Sequence, residues 1–92
     1  MERESDLELA NRVKSMIVRA VKLKIVPDSI ENDKFLFGGG LGLDSIDALE
    51  LVIALEKEFG VRIPDSTVGK KVLVSVKTIV DYIKDTKSGK TA

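Results

Sequence analysis

At 92 residues, with 43% hydrophobic and 33% charged side chains, the chain has room for one domain with a modest core and too little for a deep catalytic cleft. It contains no Cys, His or Trp, which excludes a disulfide framework, a cysteine nucleophile and the usual zinc ligand sets, and leaves any serine without the histidine base that ordinarily activates it. Fifteen basic and fifteen acidic residues balance to zero overall, yet from Asp44 to Glu58 five carboxylates (Asp44, Asp47, Glu50, Glu56, Glu58) face Lys57 alone, a net of minus four.

The first segment, MERESDLELANRVK, mixes charge signs, and the longest apolar run, LVIAL, is far too short to cross a bilayer. A single domain over 1–92, working in the cytoplasm without membrane insertion, is therefore expected. Leu7, Ala10, Val13, Met16, Ile17, Ala20 and Val21 fall at helical spacing and predict a first helix to Val21, with Ser5 and Glu8 in the pattern of a capping box at its start. From Lys24 to Leu43 the helical period is lost and Pro27, Asp28, Asn32, Asp33 and the Gly38-Gly39-Gly40 triplet accumulate. This reads as a long loop with space for a short helical turn, pinned to the core by Phe35, Leu36 and Phe37. The glycines lack the GK[ST] ending and the preceding strand of a phosphate loop, and read as chain flexibility.

A second helix is predicted from Ser45 to Phe59, capped by Asp44 and stopped by Gly60. It carries two apolar stripes: Leu51, Val52, Leu55 and Phe59 suit the core, while Ile46, Leu49 and Ile53 lie on another side among Asp47, Glu50 and Glu56. Burial of both stripes in a bundle and exposure of the second as a docking face are both open on this pattern. The acidic charge argues against nucleic acid and suits a basic partner surface, although a merely solvated face would look the same. Pro64 enforces an extended connection, and one helical turn is expected near Asp65 to Val68. Val72, Val74 and Val76 alternate like a strand, but an unpaired strand would orphan its backbone. A last helix is therefore predicted from Ser75 to Lys84, capped by Ser75, with Val76, Ile79, Val80 and Ile83 inward. An ordered core over about 5–85 and a frayed tail over 86–92 complete the expectation.

Within this frame, residues 40–65, GLGLDSIDALELVIALEKEFGVRIPD, resemble the central segment of acyl carrier proteins, whose hallmark is an Asp-Ser-Leu or similar triplet opening a helix of alternating acidic and apolar residues. The triplet here is Asp44-Ser45-Ile46, and the helix order extends the likeness over nearly the whole chain. The resemblance implies an all-α, small four-helix bundle of three main helices and one short one, a monomer, and a carrier and not an enzyme. It makes Ser45 the serine esterified to 4′-phosphopantetheine, taken from coenzyme A by a separate magnesium-dependent phosphopantetheinyl transferase, with Asp44 beside it. The arm's thiol then holds acyl groups as thioesters, which suits a chain without cysteine. A helix N-terminus, with free N–H groups and a partial positive charge, is compatible with a phosphate there.

The same resemblance assigns Ile46, Asp47, Leu49, Glu50, Ile53 and Glu56 to docking against basic patches of acyl-transferring and chain-elongating enzymes, and Leu51, Val52, Leu55 and Phe59 to an acyl pocket. The usual member is acidic throughout, whereas this chain is neutral, Lys57 interrupts the acidic run, and DSTVGKKVLVSV puts Gly69, Lys70 and Lys71 where the short helix of the family carries carboxylates. A specialised carrier for lipid or polyketide synthesis thus stands beside the carrier of fatty acid synthesis. The alternatives are a peptidyl or aminoacyl carrier, from which Asp44 leans away, an unmodified helical interaction module, and a small serine hydrolase, for which no base is available.

Overall fold

The computed structural model describes residues 6–87. Four helices follow one another: α1 (Asp6–Val21), α2 (Ser45–Phe59), α3 (Ser66–Val72) and α4 (Val76–Lys87), with a single 3-10 turn at Pro27–Ser29 in the loop between α1 and α2. α1 packs against both α2 and α4, and the short α3 lies on α4. This is the small all-helical bundle expected from the sequence. The expected capping box at Ser5 lies outside the described residues.

The core is one apolar cluster to which all four helices contribute. α1 contributes Leu9, Ala10, Val13, Met16 and Ile17, α2 Leu51, Leu55 and Phe59, and α4 Val76, Ile79, Val80 and Ile83. Leu9, four residues before Val13, takes the stripe position that the sequence reading gave to Leu7, and Leu7 is 68% exposed. Arg12 stacks over the Phe59 ring at 4.6 Å from its centroid, closing the end of the α1–α2 contact with a cation on an aromatic face.

Each helix start and stop has a visible cause. Gly60 ends α2 in the left-handed region (φ 68°), donating its N–H to Glu56 O. Ser75 caps α4 reciprocally with Thr78: Thr78 N–H donates to Ser75 Oγ at 3.3 Å and Ser75 N–H to Thr78 Oγ1 at 2.9 Å. α4 continues to Lys87, so Thr86 and Lys87 belong to the helix and not to the tail.

The long loop is ordered by backbone pairing rather than by helix. Leu36 N–H donates to Val74 O at 2.9 Å, Leu43 N–H to Leu36 O at 3.1 Å, and Lys77 N–H to Asn32 O at 2.8 Å, tying the loop to the α3–α4 connection. Leu36, held by these bonds, is fully buried, whereas Phe35, expected to be a core anchor, is 63% exposed. The glycines are structural and not merely flexible. Gly38 (φ 63°) and Gly42 (φ 77°) occupy the left-handed region, and a Cβ on Gly40 would lie 1.7 Å from the Phe35 carbonyl oxygen.

An ion pair in fork geometry joins α1 to α2. Arg19 Nη1 and Nη2 donate to the two carboxylate oxygens of Glu58 at 2.6 and 2.8 Å. These bonds hold the Glu58 carboxyl below its ordinary range. A depressed folded-state value means stability that is present above the unfolded carboxylate range and is lost as pH falls through the lowered folded value. Arg19 is mostly exposed, so screening limits the pair to less than about 1 kcal/mol. Glu58→Gln is expected to cost that amount in urea unfolding at neutral pH and nothing once the wild-type carboxyl is protonated in acid.

Candidate functional site

Ser45 is the first residue of α2 and is exposed. Asp44, in an extended conformation (φ −121°, ψ −172°), turns its carboxylate over the helix end. Asp44 Oδ1 accepts from Ile46 N at 3.0 Å and Asp47 N at 3.1 Å, while Asp47 Oδ2 accepts from Asp44 N at 3.0 Å. This capping box corrects one expectation: the Ile46 and Asp47 N–H groups are already taken, so a phosphate on Ser45 would feel the helix dipole without being cradled by them. Among the described residues the Ser45 hydroxyl makes no hydrogen bond. It is therefore a rigidly placed, accessible hydroxyl with no base of its own, chemically an acceptor to be acted on by another protein.

Beside it opens a cleft of about 880 Å³ between α2, α3 and the long loop. Phe35, Phe37, Ala48, Leu49, Val52, Ile63, Leu73 and Val74 make its walls apolar, with Ser45, Asp44, Asp65, Ser66 and Lys70 also in its lining. Of the four residues assigned to a pocket on the sequence, Val52 lines this cleft. Leu51, Leu55 and Phe59 instead sit in the core between α1, α2 and α4 and are absent from its lining. The side chains that sequence reasoning missed come from the loop and the α3 region. Their apolar character was visible, but only the fold brings the loop and the α3 region together with α2 around one cleft.

The second stripe of α2 is exposed: Ile46 at 69%, Leu49 at 61% and Ile53 at 42%, with Glu50 and Glu56 exposed beside them and Asp47 half-buried in the capping box. Leu49 belongs both to this stripe and to the cleft mouth. Three large apolar side chains held in water on one helix face form a patch of the kind that marks a protein contact.

The family model described as "Phosphopantetheine attachment site" matches residues 11–83. The chain is 38% identical over 84 residues to the acyl carrier protein of Campylobacter hominis, covering 91% of this chain and all of that relative. It belongs to the acyl carrier protein family. It is 44% identical over 82 residues to that of Zymomonas mobilis subsp. mobilis (88% of this chain, 97% of the relative) and 40% over 73 residues to that of Campylobacter fetus subsp. fetus (79% and 88%). An acyl carrier protein is a carrier and not an enzyme, and carries 4′-phosphopantetheine covalently. The residues present fit that group, because an exposed, uncommitted hydroxyl stands at the mouth of an apolar cleft. A carrier of this family meets both the enzyme that modifies it and the enzymes that handle its acyl group. Among the described residues no helix is long and apolar enough to cross a membrane.

Proposed function

We propose that Ser45 is the residue that receives 4′-phosphopantetheine, and that the chain serves fatty acid synthesis or a related lipid or polyketide route in the cytoplasm. When bound, the group supplies the thiol that a cysteine-free chain lacks. The observation that carries the reading is the placement of the Ser45 hydroxyl, exposed and without a hydrogen bond at the start of α2, within the segment that matches the family. Asp44 and Asp47 fix the helix start through the capping box, so the hydroxyl meets the transferase on a rigid element. The apolar cleft beside it suits an acyl chain over a polar one, which favours acyl over aminoacyl cargo. Incubation with coenzyme A and a broad-specificity phosphopantetheinyl transferase tests it: intact mass is expected to rise by one phosphopantetheinyl group, and an unmodified interaction module would show no rise.

The docking face in this reading is Ile46, Leu49 and Ile53 with Asp47, Glu50 and Glu56, which fits enzymes presenting an apolar groove rimmed by basic residues. The carboxylates steer encounter, and the apolar stripe supplies the contact. The double charge reversal Glu50→Lys, Glu56→Lys is expected to slow modification by the transferase about tenfold at low salt with the helical signal unchanged. The difference should shrink as salt is raised. Equal rates would remove this face as the interface.

A further inference from the structure

We propose that Lys70 binds the phosphodiester of the arm, drawing the arm across the mouth of the cleft. This inference rests on Ser45 being the attachment residue. Ser45 and Lys70 line the same cleft, one on α2 and the other on α3, and among the described residues Lys70 is the only base in its lining. The two carboxylates of that lining are committed elsewhere, Asp44 to Ile46 N and Asp47 N, and Asp65 to Val68 N at 2.9 Å. Arg19, Lys77 and Lys84 each hold a carboxylate, whereas among the described residues Lys70 holds none. Lys70 is exposed, so its ammonium stands at the rim of an apolar cleft without a carboxylate partner and is available to a negative ligand that enters there.

The charge around Ser45 supplies that ligand. A phosphodiester there adds a negative charge beside Asp44 and Asp47, and the α2 dipole offsets only part of it because the capping carboxylate already occupies the first-turn N–H groups. Lysine suits the task, since it binds phosphate as a point charge on a flexible stem that spans a cleft without fixed geometry. Lys71, exposed and outside the cleft lining, is the internal control. With the phosphate held by Lys70, the arm beyond it lies over the apolar walls, which shelters an apolar cargo from water.

The test uses the modified protein, with wild type, Lys70→Gln and Lys71→Gln each first shown by intact mass to carry one arm. No gain of mass in wild type would refute the attachment reading itself, which separates the two failures. The phosphorus NMR resonance of the arm is then recorded from about 0.01 M salt, where the Debye length is about 30 Å, to about 1 M, where it is about 3 Å. The expected result is a wild-type resonance displaced from that of Lys70→Gln at low salt, coinciding with Lys71→Gln, and converging on Lys70→Gln as salt rises. Coincidence of wild type and Lys70→Gln at low salt overturns the proposal. So does an equal displacement in Lys71→Gln, or a displacement that survives high salt, because either reports something other than an ion pair at Lys70.

Discussion

Ser45→Ala is expected to take up no phosphopantetheinyl group from coenzyme A while folding as the wild type does. The hydroxyl makes no hydrogen bond among the described residues and is exposed, so its loss leaves neither a cavity nor an orphaned partner, and stability should change by no more than about 0.5 kcal/mol. Ser66 is an unusually close control. It too follows a capping aspartate, Asp65, opens a helix and lines the same cleft. What it lacks is the acidic, apolar-striped helix behind Ser45, because α3 has seven residues and ends in Lys70, Lys71 and Val72. Ser66→Ala is therefore expected to gain one group as wild type does. Intact mass after incubation with coenzyme A and a transferase decides the matter. Modification that persists in Ser45→Ala and disappears in Ser66→Ala would move the site to α3.

Gly40→Ala is expected to be the most damaging small substitution in the loop. Its Cβ would fall 1.7 Å from the Phe35 carbonyl oxygen and 2.5 Å from the carbonyl carbon, both backbone atoms that no rotamer change can clear. Phe35 O also accepts from Leu41 N at 3.0 Å, so moving it breaks the turn that delivers Leu43 to its bond with Leu36. Overpacking of this kind costs about 3 kcal/mol. At about 4–8 °C per kcal/mol for a domain of this size, the melting temperature should fall by more than about 10 °C. Gly39→Ala, where a Cβ meets nothing within 4 Å, should change it little. Equal melting temperatures for the two variants would show that the loop is as flexible as its composition suggests.

Helix starts and stops were legible in the sequence because their causes are local. Asp44, Gly60 and Ser75 act through atoms within four residues of themselves, and each appears where the sequence placed it. The exposed stripe of Ile46, Leu49 and Ile53 was legible as a second stripe, but whether it was buried depended on whether another element covered it, and none does among the described residues. Non-local facts were harder. Phe35 and Leu36 differ in burial, and the bond that ties Leu36 N–H to Val74 O joins positions nearly forty residues apart. The cleft lining is non-local too: α2 periodicity places Leu51, Leu55 and Phe59 in the core, where they lie, and only the family resemblance assigns them to an acyl pocket, whereas the cleft walls are brought together from the loop, α2 and the α3 region. The capping box supplies a further case, since Asp47 was read as a docking charge while its carboxylate also bonds Asp44 N.

The neutral overall charge acquires a structural meaning from the same comparison. Five carboxylates fall between Asp44 and Glu58 at and along α2, while Lys70 and Lys71 sit on α3, with Lys70 in the cleft lining together with Asp65.

Peptide mapping by mass spectrometry of the protein purified from its own host locates the arm. A single modified peptide is expected, the one containing Asp44-Ser45-Ile46, bearing a phosphopantetheine arm with an acyl group on its thiol. An arm on any other serine or threonine, or a wholly unmodified population from growing cells, would contradict it.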